Sequence, residues 1–185
     1  MNEKMKTVVV LSGGLDSTCM LYKIMKDYGH EVEAISFNYG QKHKKELEMA
    51  KQTCEVLEIK HTIVDVTFLK ELLNKSSLLG EQEIPEGHYA DDNMKSTVVA
   101  NRNMIMASIA IGYAINIDAD AIALGIHKGD HTIYPDCRPE FADALSNIAA
   151  VCDYKVIKVL TPYLSCDKID IVQDGIQNGV DFSKT

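Results

Sequence analysis

The sequence predicts a doubly wound α/β fold, a five-stranded parallel sheet with helices on both faces, and three observations predict it. Short β-branched runs alternate with amphipathic stretches of helical period along the 185 residues, the pattern of consecutive βα units. The apolar runs are continuous, as strands buried on both faces are. The first of them, Val8-Val9-Val10-Leu11, ends in Ser12-Gly13-Gly14 just ahead of an amphipathic segment, so a glycine turn joins a strand to a helix N-terminus.

Taken in order, Thr7 to Leu11 reads as the first strand and about Ser17 to Asp27 as the first helix, with Met20, Leu21, Ile24 and Met25 as its buried stripe and Gly29 ending it. Val32 to Phe37 is the second strand, followed by the turn Asn38-Tyr39-Gly40-Gln41. A second helix starts at His43, with Leu47, Ala50, Cys54 and Leu57 at helical spacing. Its basic start, Lys42 to Lys45, runs against the helix dipole and reads either as a solvated face or as cations turned toward an anionic ligand. His61 to Val66 is the third strand and Phe68 to about Leu73 a short helix. Residues 74–95 are polar and without period, a lid or dimer-contact loop. Ser96 to Ala100 is short and extended, and Met104 to Ile117 is apolar on most sides, a helix for the core or a subunit contact. Ala121 to Leu124 and Lys155 to Leu160 are strands four and five; helices span Ala142 to Val151 and Asp167 to Gln177, the latter closed by Gly179. With no repeat or linker, residues 1–185 form one Rossmann-like domain.

Composition narrows the function. A net charge of -8 argues against a broad nucleic-acid face and suits a small nucleotide ligand. The five cysteines include no Cys-x-x-Cys pair, and no signal peptide or membrane-length apolar run is present; the expectation is a soluble protein of a reducing cytoplasm, with neither membrane nor nucleic acid as partner.

Three segments carry chemistry. At the Ser-Gly-Gly turn, two glycines let the backbone approach an anion, and the free amides and dipole of the following helix favour negative charge. Ser12, Ser17 and Thr18 add hydroxyl donors there, and Asp16 could hold Mg²⁺ or position a water. The Lys-Ser/Thr pair of a Walker loop is missing. In Asn101-Arg102-Asn103, Asn101 alone would cap the helix, so Arg102 is free to meet a carboxylate or phosphate. In Tyr134-Pro135-Asp136-Cys137-Arg138-Pro139-Glu140-Phe141, Pro139 and Asp136 suit helix initiation, whereas Tyr134, Asp136, Cys137 and Arg138 together could stack on, accept from and clamp a planar heterocycle. His127 and His131, flanking Asp130, read as hydrogen-bonded or solvent-exposed residues rather than a metal pair.

Ser-Gly-Gly-Leu-Asp-Ser resembles the pyrophosphate loop of the ATP pyrophosphatases, the PP-loop or adenine nucleotide alpha hydrolase-like fold. Together with Ser36 to Leu47, Ser96 to Asn103 and Gly125 to Phe141, the chain is similar over essentially its full length to the 7-cyano-7-deazaguanine synthase family. The resemblance implies an ATP-dependent ligase of queuosine and 7-deazaguanine synthesis. ATP would adenylate 7-carboxy-7-deazaguanine, ammonia would displace AMP to give the amide, and a second ATP would activate the amide oxygen so that the nitrile forms. It implies that Leu11, Ser12, Gly13, Gly14, Leu15, Asp16, Ser17 and Thr18 bind ATP, with Mg²⁺ at Asp16; that Ser12, Asp16, Ser17 and Arg102 are catalytic; and that Arg102, Asn103, Tyr134, Asp136, Cys137 and Arg138 bind the deazaguanine, Cys137 as pocket lining and not as a nucleophile. A homodimer is the family expectation. Asn38 stands where Asp is usual, and Ala100-Asn101 where Pro-Ala is usual. The family also carries a four-cysteine zinc site after the last helix; this sequence ends at Thr185 and its cysteines do not match that spacing, so it reads as truncated or as a member without zinc. The alternatives are a relative that stops at the amide or uses the activated deazaguanine to modify another molecule, and a non-catalytic nucleotide-binding subunit.

Overall fold

The computed structural model describes residues 4–41, 44–73 and 99–185, so the expected lid or dimer-contact loop at 74–95 lies outside the described residues, as do Lys42, His43 and residues 96–98. Strands β1 (Lys6–Val10), β2 (Glu31–Asn38), β3 (His61–Asp65), β4 (Ala121–Ala123) and β5 (Lys158–Leu160) form one sheet in the order β3-β2-β1-β4-β5. Every pairing is parallel. The helices are α1 (Leu15–Lys26), α2 (Lys44–Val56), α3 (Leu69–Leu72), α4 (Arg102–Asn116), α5 (Pro139–Ala149) and α6 (Lys168–Asn178).

The strands are apolar throughout because each side of the pleat meets a helix layer. Val8, Ile35, Phe37 and Ile122 point to one face, where Met106, Ala107 and Ile111 of α4 and Leu145 of α5 cover them. Val9, Leu11, Ala34 and Ala123 point to the other, against Met20, Leu21 and Ile24 of α1, Ala50 and Cys54 of α2, and Ile171 of α6. Each fully buried aliphatic side chain here contributes roughly 1.5–3 kcal/mol relative to exposure. The chain leaves β1 for β2 and β3 on one side and returns to β4 on the other, so β1 and β4 flank the switch point whose carboxyl ends open a crevice.

The structure shifts several boundaries. Helix α1 starts at Leu15, not Ser17, which brings Asp16 and Ser17 into its first turn. Helix α4 starts at Arg102, and Asn101 ahead of it is left-handed (φ 57°) with no side-chain cap bond, so Asn101 is not the cap. The cap comes from a distant segment: the Asp136 carboxylate accepts the Asn103 backbone N–H at 2.9 Å. Strand β5 has three residues instead of six, because β4 offers only Ala121, Ile122 and Ala123 for Lys158, Val159 and Leu160 to pair with. Helix α6 is bounded as expected, with an Asp167–Asp170 capping box and a left-handed Gly179.

At the opposite end of the sheet, Glu33 of β2 is 11% exposed and lies 3.0 Å from the ammonium groups of both Lys6 and Lys60. The Tyr113 hydroxyl donates to it at 2.7 Å. Burial pushes this carboxyl's pKa up, but the bonds from Tyr113, Lys6 and Lys60 outweigh it and bring the value from 4.5 down to about 2. A depressed carboxylate stabilises the fold above its unfolded pKa, and that stability is lost as pH falls from 4.5 toward 2. Glu33→Gln should cost on the order of 2 kcal/mol at neutral pH. Denaturation at pH 7 and pH 3 should show the gap between variant and parent narrowing in acid.

Candidate active site

The loop after β1 is knit by its own side chains. Ser17 Oγ donates to the Gly14 carbonyl at 3.1 Å and accepts from Ser12 N at 3.2 Å, while Ser12 Oγ lies 2.9 Å from Ser17 Oγ and accepts from Gly14 N at 3.2 Å. The expected hydroxyl donors are therefore spent on shaping the loop, and Thr18 is buried with its Oγ1 unpartnered. The first helical bond of α1 runs from Thr18 N to Gly14 O, which leaves the amides of Leu15, Asp16 and Ser17 as the turn without i−4 carbonyls. Those amides and the helix dipole make the turn favourable to negative charge.

Glycine is required at 13 for two independent reasons. Its φ is +89°, and a Cβ there would sit 1.9 Å from the Glu46 carbonyl oxygen in the first turn of α2. On the other flank, a Cβ at Gly125, just past β4, would lie 3.3 Å from Ser17 Cα. The first turn of α1 is thus wedged at the switch point.

Asp16 leads into an ionic cluster. Lys168 at the start of α6 places its Nζ 2.6 and 2.7 Å from the two Asp16 oxygens. A cation at a helix N-terminus opposes the dipole, and Asp16 offsets that cost. Helix α6 reaches this position because it is fastened along α1: Lys23 pairs with Asp174 at 2.8 Å, Tyr163 hydrogen-bonds Asp174, and Gly175 packs where a Cβ would meet Cys19 Sγ at 2.5 Å. His127, past the end of β4, stands 3.6 Å from Asp16 and 3.5 Å from Asp130. Burial is the largest influence on the Asp130 carboxyl and raises its pKa, with the Asp16 charge raising it further and Lys168 opposing.

Sequence reasoning brought Asn103, Asp136 and Cys137 together correctly, but as partners of one another. Asn103 Nδ2 donates to the Asp136 carbonyl at 2.9 Å and to Cys137 Sγ at 3.1 Å. With the Asp136 carboxylate on the Asn103 N–H, the pair is a clamp between α4 and the turn at Pro135–Cys137. Burial pushes the Cys137 thiol up to about 12, so it is a neutral lining group and not a nucleophile. Arg138 is exposed and donates from Nε to the His131 carbonyl at 2.8 Å. Tyr134 is half-buried and packs with Ile126 and Cys137. Arg102 lies under Tyr39, 3.4 Å from its hydroxyl and 5.9 Å from its ring centroid. Burial works against the Arg102 charge, but Tyr39 and Asp136 hold it cationic. Lys168, His127, Asp130 and Tyr39 were not read as site residues. Only Asp130 between two histidines gave any signal, and Lys168 gave none because its partner is 152 positions away.

Loop, sheet order and switch-point crevice define a PP-loop protein of the adenine nucleotide alpha hydrolase-like class. Solved structures agree on the fold. One is "NH3-dependent NAD synthetase from Campylobacter jejuni" (TM-score 0.58, 16% identity, all of this chain and 68% of that one). Another is "U34-tRNA thiolase NcsA from Methanococcus maripaludis" (TM-score 0.60, 17% identity, 96% of this chain and 57% of that one). Within that class, the model of the family "Queuosine biosynthesis protein QueC" matches residues 6–185, and the chain belongs to this family. It is 48% identical over 180 residues to the 7-cyano-7-deazaguanine synthase of Pseudoalteromonas atlantica, covering 97% of this chain and 82% of that protein. The 7-cyano-7-deazaguanine synthase of Caldicellulosiruptor saccharolyticus is 49% identical over 181 residues, 98% of this chain and 80% of its own length.

The wedge at Gly13 makes a clear prediction. Gly13→Ala should destabilise the protein by roughly 2–4 kcal/mol and abolish ATP binding, since both the backbone angle and the space are denied. A Cβ at Gly14 would meet only Ser12 Oγ, at 3.5 Å. Gly14→Ala should therefore melt within about 1 kcal/mol of the parent in the same denaturation experiment.

Proposed function

We propose that the chain is a 7-cyano-7-deazaguanine synthase, converting 7-carboxy-7-deazaguanine and ammonia to the nitrile at the expense of two ATP. The observation that carries this reading is what meets at the carboxyl edge beside the β1/β4 switch: the loop after β1, with Lys168 on Asp16, and the start of α4, with the half-buried Arg102 under Tyr39. A carboxylate substrate needs both halves: a cation to hold the acid and a loop to retain pyrophosphate.

In this scheme the substrate carboxylate attacks the α-phosphorus of ATP and pyrophosphate leaves, its charge met by the α1 amides and Lys168. Ammonia adds to the acyl carbon and AMP departs, giving the amide. The amide oxygen then attacks a second α-phosphorus, and loss of AMP with two protons leaves the nitrile. Each carboxylate oxygen departs on one AMP, so no protein nucleophile is needed, in keeping with the neutral Cys137. Arg102 would hold the carboxylate, with the Tyr39 hydroxyl at 3.4 Å orienting its guanidinium.

Mg²⁺ would neutralise charge developing on the leaving pyrophosphate. Asp16 supplies the hard oxygen ligand this ion prefers, and phosphate oxygens and water would complete its shell. Among the described residues no three of His, Cys, Asp and Glu converge on a metal-sized site, so the zinc site implied by the family resemblance has no counterpart there and no step depends on it. The same reading includes free ammonia as nitrogen donor and a homodimer in the cytoplasm; among the described residues no helix is long and apolar enough to cross a membrane.

Incubation with ATP, Mg²⁺, ammonium and 7-carboxy-7-deazaguanine, followed by mass analysis, should yield the nitrile and AMP. Amide alone would favour an enzyme that stops one step earlier, and absence of AMP would overturn both. Asp16→Ala should abolish AMP formation. Arg138→Ala should raise the KM for the deazaguanine while leaving that for ATP nearly unchanged.

A further inference from the structure

His127 is the buried polar side chain at the loop that this scheme leaves without a task. Its side chain is 7% exposed. Its Nδ1 accepts the Gly129 backbone N–H at 3.0 Å, so that nitrogen carries no proton and the single proton of the neutral ring sits on Nε2. Nε2 is 3.6 Å from an Asp16 oxygen and 3.5 Å from an Asp130 oxygen, so this nitrogen stands beside two carboxylates, a short movement from hydrogen-bond length to either.

The ring lies where it does because position 129 has no side chain. A Cβ there would be 2.8 Å from His127 Cε1 and 3.0 Å from Nδ1. The turn is anchored independently by Lys128 N, which donates to the Cys166 carbonyl at 3.0 Å. Lys168, the other partner of Asp16, is 55% exposed and chelates both carboxylate oxygens. A cation that takes both Asp16 oxygens, or a polyphosphate that draws Lys168 away, competes with that chelation. Once it opens, His127 is the remaining described side chain placed to hold the Asp16 carboxylate.

We propose that His127 is a positioning residue for Asp16: a neutral imidazole, locked as its Nε2–H tautomer and standing between Asp16 and Asp130, that steadies one Asp16 oxygen when Lys168 turns to the polyphosphate. The proposal rests on the pyrophosphate-loop reading above. It gives His-Lys-Gly-Asp a physical sense, with the histidine as donor, the glycine making room for its ring while its N–H holds Nδ1, and the aspartate standing beside Nε2. His127 acts here as a fixed donor and exchanges no proton with substrate.

Full-length His127→Phe, His127→Gln, Gly129→Ala and Asp16→Ala proteins test this. The measurements are thermal denaturation, calorimetric binding of magnesium pyrophosphate, and kcat and ATP KM for AMP release. His127→Phe should lower kcat about 10–100-fold, more than it changes KM, and weaken pyrophosphate binding. His127→Gln places an amide N–H near the same point without ionising and should restore most of both. Gly129→Ala should reproduce the His127→Phe defect by displacing the ring. Unchanged kcat and pyrophosphate binding in His127→Phe would overturn the proposal. A His127→Gln protein as slow as His127→Phe, with both melting like the parent, would also overturn it by assigning proton transfer to the ring. Should His127→Phe not fold, the other two decide: a slow Gly129→Ala beside a restored His127→Gln supports the role, and Gly129→Ala at the parent rate removes it. Full turnover in Asp16→Ala would remove the loop reading itself, whereas an inactive Asp16→Ala beside an undisturbed His127→Phe removes only the role of His127.

Discussion

The first turn of α1 is gripped between two backbones, and the rest of the site depends on that grip. The α2 carbonyl of Glu46 presses on Gly13 from one side, and the exit of β4 at Gly125 presses on Ser17 from the other. The first leaves no room for a Cβ, and the second admits one only if the backbone gives by a few tenths of an ångström. The confinement holds the three amides of the turn that lack i−4 carbonyls at the carboxyl ends of β1 and β4, with their dipoles already oriented.

Charge is distributed with the same economy. A protein of net charge -8 cannot attract a nucleotide through its overall field, so attraction must come from cations set locally. Lys168 and Arg102 are such cations, one from the start of α6 and one from the start of α4. Lys168 chelates Asp16, and Asp130 beside them carries a charge that burial disfavours. With Lys168 55% exposed, solvent screens this cluster, so it contributes little net stability and its value lies in geometry.

The Asn103–Asp136 clamp separates architecture from chemistry at the other end of the crevice. Asp136 supplies a cap that Asn101 cannot, since a left-handed residue does not direct its side chain onto the amides ahead of it. Tying α4 to the turn before α5 leaves Arg102, one residue earlier on the same helical turn, held beneath Tyr39. Of the residues that read as a substrate pocket in the sequence, Asn103, Asp136 and Cys137 are bonded to one another, while Arg138 is exposed.

The sheet and its order of helices could be read from the chain because they follow from local pattern: β-branched runs, helical spacing, glycines at the turns. The nucleotide loop was legible for the same reason, since strand, glycine turn and helix start are contiguous. Strand β5 was overestimated because a strand's length is set by its neighbour, and β4 is short. The Asn101 cap was misread because propensity does not reveal that a left-handed residue will stand there or that a carboxylate 33 positions on will do the work. Lys168 beneath Asp16, His127 between two carboxylates and Tyr39 over Arg102 were invisible, because each is a meeting of segments far apart in sequence. The sequence by itself determined the fold, the family and the glycine turn between β1 and α1, all carried by residues that act with their neighbours. Only the tertiary structure decided which charges meet at that loop, because ion pairing depends on distances that the folded packing alone sets.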